Sequence, residues 1–218
     1  MVPAFLTTLF FSISAVAATQ TAVRMGSNAA NFWRLALATV VLAIYAHSLG
    51  VGISGPGFWF FFLSGVVGFG IGDIALFQAL PKIGSRLCVL LTQCLAAPFA
   101  ALIEWLWMQE TLSRTEMLSS ATILIGVGLA VAPAPSDLPG SVREVDRHKS
   151  KWTRTFWIGI GFGVLAGLGQ GGGAVLSRQA YALGAEQQFV IDGLNAGYQR
   201  ILGGVLVSGI GFWIAHRY

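Results

Sequence analysis

No Asp, Glu, Lys or Arg occurs in this chain before Arg24. An apolar run of that length is longer than the hydrophobic core of a secretory signal, and long enough to cross a bilayer. It also lacks the Lys or Arg that opens a signal, although Ala15-Val16-Ala17 resembles a cleavage site. It reads as a first membrane helix. Further along, charges again cluster and leave long uncharged runs between them. Charged residues make up 10% of the 218, against 55% hydrophobic residues and a mean hydropathy of +0.72. A soluble domain carries about a quarter charged residues. Too few are present here to cover a water-facing surface, so lipid is the solvent this chain suits.

A hydrocarbon core of about 30 Å needs about 20 apolar residues per helix, and backbone in lipid must be helical to satisfy its polar groups. Seven segments qualify, at 3–23, 31–49, 57–80, 87–109, 117–133, 156–177 and 193–215. The expected fold is all-α, a polytopic transmembrane helix bundle. Tryptophan supports these bounds: Trp33, Trp59, Trp105, Trp107, Trp152, Trp157 and Trp213 all fall near a span end, where an indole keeps its N–H wet. Pro133 and Pro135 close the fifth segment. The stretch Ala134 to Thr155, with Arg143, Arg147, Lys149, Lys151 and Arg154, reads as a solvated hinge. The organisation is therefore 1–133, a linker over 134–155, and 156–218.

Several function classes drop out. The formal charge of +4 forms no aromatic-interleaved basic stripe, so nucleic acid is not an expected partner. Cys88 and Cys94 fall on different helix faces and read as buried, reduced thiols. His47, His148 and His216 lie at span ends or in the linker, and none joins a nucleophile–acid set or a metal site. Gly167, Gly169 and Gly172 match G-x-G-x-x-G, but inside an apolar helix and not after a strand, so a dinucleotide site is rejected. No enzymatic activity, cofactor or metal is expected.

Past the linker the pattern partly repeats. Ala22-Val23-Arg24 is echoed by Ala174-Val175-Leu176-Ser177-Arg178, and Phe32-Trp33-Arg34 by Gly197-Tyr198-Gln199-Arg200. A second copy that begins after five crossings enters the membrane from the opposite side. Such inverted repeats build many secondary transporters. Residues 1–133 would then be one five-helix repeat, and 156–218 the first two helices of a second, inverted and incomplete one.

The stretch from Gly68 to Val131 adds a more specific pattern. Asp73, Phe77, Ala79 and Leu80 close the third segment, Pro98, Phe99 and Ala101 lie in the fourth, and Glu110 and Leu112 mark its exit before a Gly-rich helix. In that order and spacing they resemble the EamA-type repeat of the drug/metabolite transporter superfamily. The Phe–x–Arg opening of the second helix also fits. The resemblance covers nearly all of residues 1–133 and, more faintly, 156–218. It implies a ten-helix carrier of metabolites made from two inverted five-helix repeats, of which this chain carries seven helices.

Charged residues inside a span cost at least about 2.5 kcal/mol each unless paired or wet, which marks Arg34, Asp73, Glu104 and Arg200 as functional candidates. Position along each span suggests ion pairs Arg34–Asp73 near one face and Glu104–Arg200 near the other, suited to two gates. Gln20, Gln78, Gln93, Gln170 and Asn195 form a second set of substrate-binding or interhelical polar groups. Gly159, Gly163, Gly167 and Gly171 make a stripe at i+4 spacing that lets helices pack closely.

Arg24, Lys82, Arg86, the linker charges and Arg217 fall on one side by alternate loops, Arg114 and Arg178 on the other. The positive-inside rule makes the first side cytoplasmic and the amino terminus external; the family resemblance implies the reverse. The leading expectation is a multi-pass secondary carrier in the cell membrane that moves small organic solutes such as amino acids or amphipathic compounds, with Asp73 or Glu104 as the proton-coupling group. The rival is a non-transporting scaffold or truncated assembly partner that associates through the glycine stripe; the expected partners, besides lipid and a small solute, are a second copy of the chain or missing C-terminal helices.

Overall fold

The computed structural model describes residues 2–109, 113–131 and 154–217, all of them in helices or short connections, with no strand among them. Glu110, Leu112 and most of the linker, with His148 and Trp152, lie outside the described residues. The helices are α1 (Val2–Met25), α2 (Ser27–Ser48), α3 (Phe58–Gly65), a π-helical segment (Val66–Gly72), α4 (Asp73–Met108), α5 (Arg114–Val131), α6 (Arg154–Glu186) and α7 (Gly193–Arg217). Helix is found in every expected span among its described residues. Ser27–Ser48, Phe58–Met108, Arg114–Val131 and Arg154–Glu186 are long and apolar enough to cross a membrane.

The run Phe58–Met108 has 51 residues. At 1.5 Å per residue it would reach about 77 Å if straight, more than twice the hydrocarbon thickness. It doubles back at Gly84, whose φ of 75° and ψ of 163° interrupt the helix in a conformation that only glycine adopts without strain. The reversal is sharp enough for the Cys88 thiol to donate to the Leu76 carbonyl at 3.6 Å; along a straight helix those residues would lie about 18 Å apart. The expected spans 57–80 and 87–109 are thus the two arms of one hairpin.

The first arm ends against α1: Ala22, Ala30, Phe77, Ala79, Leu80 and Cys88 form one buried cluster. The second arm packs on α6, with Leu91, Leu95 and Val127 at its core. Here the expected glycine stripe meets α4 of its own chain. A Cβ on Gly159 would sit 2.6 Å from Ile83, on Gly163 2.7 Å from Leu91, on Gly167 3.0 Å from Leu95 and on Gly171 2.6 Å from the Ala96 carbonyl. That face is filled from within, which leaves the stripe no surface to offer a partner. The decoy glycines Gly167, Gly169 and Gly172 all lie inside α6. Cys88 and Cys94 are both free thiols, the first buried.

The π-helical segment is wedged between α6 and α7, and glycines bring backbones together at both seams. Gly169 and Gly173 of α6 touch the backbone of Gly72 and Gly68, and Gly203 of α7 lies against Phe62 and Val66. A Cβ on Gly65 would fall 1.6 Å from the Arg200 carbonyl oxygen. Small residues are what let backbones approach this closely in lipid.

The two ends of the bundle differ in charge as the alternate-loop count expects. Met25, Gly26, Gln78, Phe212 and His216 meet around one small cavity, and Lys82 lies over the Phe162 ring of α6. Arg24, Lys82, Arg86, Arg154 and Arg217 are therefore gathered at this end, called the basic end below. The α2–α3 connection, Glu104 and the α6–α7 connection form the far end. There Asn195 and Gln199 clamp the connection: Asn195 Oδ1 accepts from Val51 N (3.0 Å) and Gly52 N (3.2 Å), and Gln199 Nε2 donates to the Gly52 and Ser54 carbonyls at 3.0 Å each.

Candidate functional site

Asp73 follows the π-helical segment directly and lies 11 residues before the Gly84 reversal, about 16 Å from the basic end and close to the middle of a 30 Å core. Its side chain is only 4% exposed. A carboxylate at that depth needs partners, and three helices supply them. Arg34 of α2 forms a hydrogen-bonded ion pair with Oδ2. Gln170 of α6 donates Nε2 to Oδ1 at 3.1 Å. Arg200 of α7 adds a second positive charge within electrostatic range. Arg34–Asp73, expected from span positions, is present.

Arg34 is anchored in turn. Its Nη2 donates to Asn31 Oδ1 at 3.3 Å, and Asn31 Nδ2 donates to Ser208 Oγ of α7 at 3.2 Å. The guanidinium also lies 5.1 Å from the Phe77 ring centroid, a cation–π contact. One turn toward the basic end, Gln78 donates Nε2 to Asn28 Oδ1 at 3.1 Å. Asn28, Asn31 and Arg34 thus stand at three-residue steps, a polar ladder that leads from the α1–α2 turn to Asp73.

Arg34 is 41% exposed on its side chain and faces a cavity of about 330 Å³ between α1, α2 and α4, lined by Ser14, Thr21, Trp33, Leu37 and Phe77 among others. A volume of this order holds a small organic molecule, and the lining offers one cation, two hydroxyls and two aromatic rings.

The second expected pair is corrected. Glu104 pairs with Arg178, not with Arg200. Helix α6 lies along the second arm of α4, whereas α7 packs on α2, α3 and the π-helical segment, so Arg200 faces away from Glu104. Instead its guanidinium lies 4.7 Å over the Phe69 ring. Arg178 is 61% exposed and Glu104 14%, and Glu104 lies four residues before the end of α4 at Met108, toward the far end.

The amides divide. Gln78 and Gln170 belong to the polar core. Asn195 serves as a clamp, its Oδ1 on the α2–α3 connection and its amide nitrogen on Asp192. Gln20 and Gln93 are exposed on the outside of the described bundle. Sequence reasoning passed over Asn31, Ser208 and Asn28, although Asn28 and Asn31 precede Arg34 at helical spacing and carried that signal. Among the described residues no group of three metal-ligating side chains gathers.

A lipid-length helical bundle that buries charged and amide side chains from several helices at mid-depth, beside a cavity, has the build of a membrane transport protein. The particular family follows from comparison: the chain matches the EamA-like transporter family over residues 1–132, and it belongs to that family. The match takes in Asp73, Pro98 and the other residues that carried the resemblance. No curated protein and no solved structure matches the chain significantly.

Proposed function

We propose that the protein works as a secondary carrier of small organic metabolites, such as amino acids or amphipathic compounds, by alternating access between two inverted repeats. The single observation that carries this reading is the mid-depth cluster itself. Arg34 and Asp73 come from the family-matched part of the chain, Gln170 and Arg200 from the part beyond it. A charged group at that depth is functional by default, and one contacted from both halves is placed to feel them move. Residues 156–218 act in this reading as the opening of the second repeat. The solute binds in the cavity against Arg34, with Trp33 and Phe77 as its apolar walls. Protons are the coupling ion and Asp73 their carrier, since Glu104 lies at the wet end and is ill-placed to sense a midplane event. The basic end faces the cytoplasm by the positive-inside rule, in the cytoplasmic or inner membrane.

Vesicles carrying the full chain, loaded with a panel of radiolabelled amino acids and amphipathic amines and acids, test this. Wild type moves at least one class in response to an imposed pH gradient. Asp73→Asn loses that dependence, with a rate reduced about a hundredfold, the effect of losing roughly 2.7 kcal/mol. Asp73→Asn vesicles that transport with an unchanged pH dependence remove Asp73 from the role.

A further inference from the structure

We infer that Asp73 is shared between two arginines, held by Arg34 in the observed conformation and by Arg200 in the opposite one, and that this exchange couples the two halves of the chain. The inference deepens the alternating-access reading and rests on it.

Three observations converge. The first is Arg200 itself. Its guanidinium lies over the Phe69 ring, and its Nε is buried without a hydrogen-bond partner among the described residues. A guanidinium in that state within a membrane is costly and calls for an anion in some other state of the protein. The Tyr181 phenol and the Asp73 carboxylate both stand within its electrostatic range, and of the two only the carboxylate carries a full negative charge near neutral pH.

The second is axial position. Arg34 is the eighth residue of α2, which starts at the basic end, and Arg200 the eighth of α7, which starts at the far end. Each therefore reaches about 11 Å in from its own side, with Asp73 between them. One carboxylate is flanked by two cations that approach from opposite halves of the membrane.

The third is a glycine-lined seam beside Asp73 and Arg200. A Cβ on Gly68 would sit 3.6 Å from Arg200 Nη2 and 3.7 Å from the Gly169 carbonyl oxygen, and one on Gly72 would sit 3.3 Å from Gly169 Cα. Gly68 lies one π turn before Asp73, so both are on the same face of that segment. Gly68 and Gly72 contribute no side chain of their own to this face, and the Gly68 position lies within van der Waals reach of the second guanidinium. The segment Val66–Gly72 is also the element best able to move Asp73. A wide turn that tightens to α geometry rotates everything after it about the helix axis, and π turns of this sort recur at functional sites. Rotation toward α7 would break the Arg34 bond and make the Arg200 one.

The test reads the two conformations directly in liposomes carrying the full chain. Reporter cysteines are placed at Thr21, which lines the cavity beside Arg34, and separately at Ser177, which is buried in the far half against Ser64. Each is labelled with a membrane-impermeant maleimide, against the parent that carries only Cys88 and Cys94. Arg34→Gln frees Asp73 for Arg200, so labelling at Thr21→Cys slows at least about fivefold while that at Ser177→Cys rises. Arg200→Gln removes the second partner and shifts both reporters the other way. Arg200→Lys keeps the charge and restores parental rates, which separates an electrostatic role from a folding defect. If Arg34→Gln and Arg200→Gln move the reporters in the same direction while the two reporters still oppose each other, exchange is wrong and alternating access stands. If the two reporters move together or not at all, both readings fall.

Discussion

The chain holds two acid–arginine pairs that differ in almost every physical respect. Arg34–Asp73 lies at mid-depth, is hydrogen-bonded, and is braced by Gln170, Asn31 and Phe77. Glu104–Arg178 lies at the far end in close contact but without hydrogen-bond alignment, and its arginine is mostly exposed. Both acids belong to α4 and both arginines carry the same charge, so chemistry alone does not separate them. Depth does. The mid-depth pair has exchanged its hydration for fixed partners, and each partner is therefore hard to remove. In the end pair the arginine is mostly exposed and free to turn to other partners, which compete with Glu104 for it.

The largest expected effect follows from that contrast. Asp73→Ala leaves Arg34 and Arg200 together in the core without an anion, and should destabilise the folded bundle by about 3–5 kcal/mol. Glu104→Ala should cost about 1 kcal/mol or less, because Arg178 can turn to water. Reversible unfolding in mixed micelles, followed by circular dichroism or by protection of Cys88 from thiol reagents, measures both. Equal losses for the two variants would show that depth is not what distinguishes the pairs.

A second contrast concerns glycine. Two seams of the bundle, α3 with α7 and the π-helical segment with α6, are backbone-to-backbone contacts, whereas Gly161 points into open space. Gly65→Ala would place its methyl 1.6 Å from the Arg200 carbonyl oxygen, and no rotamer of a neighbour relieves a clash with backbone. The helices must part, which also displaces Arg200 from Phe69. An overpacking cost of about 1–3 kcal/mol is expected, against no loss for Gly161→Ala, which gains helix propensity. Thermal stability of the two variants side by side decides the matter.

The sequence revealed the existence of the cluster more readily than its wiring. Span positions brought Arg34 to Asp73 because both lie on helices that pack together in the bundle, and depth along neighbouring spans is readable from residue counts. They assigned Arg200 to Glu104 because both approach the far side, and depth says nothing about which helix stands beside which. Only the packing of α6 along the second arm of α4 settles that, and the glycines that permit it are legible as a stripe without naming their partner. The same limit explains Asn195. An amide within a span looks alike whether it awaits a solute or clamps a loop, and the difference lies in two backbone N–H groups on a connection 143 and 144 residues away in sequence. The π-helical segment left no signal at all, since its Gly-rich run Val66-Val67-Gly68-Phe69-Gly70-Ile71-Gly72 is equally apolar in either helical form.

The smallest expected effect tests whether the far end, like the end pair, is held by weak and solvated contacts. Asp192 caps α7: its Oδ1 accepts from Leu194 N at 2.9 Å and Asn195 N at 3.0 Å. Those bonds, the Asn195 backbone N–H first and its side chain next, hold the carboxyl below the usual carboxylate range. A depressed acid stabilises the fold at any pH above its unfolded value, and that contribution fades as pH falls through the folded one. The cap should therefore be intact at pH 7 and weaken below about pH 4, where an unfolded aspartate takes up its proton. The difference in melting temperature between wild type and Asp192→Ala should be modest at pH 7 and narrow as the pH is lowered toward 3. A gap that widens on acidification would mean that Asp192 does not act through its charged form, and that the α2–α3 clamp at Asn195 is anchored by something stronger than a helix cap.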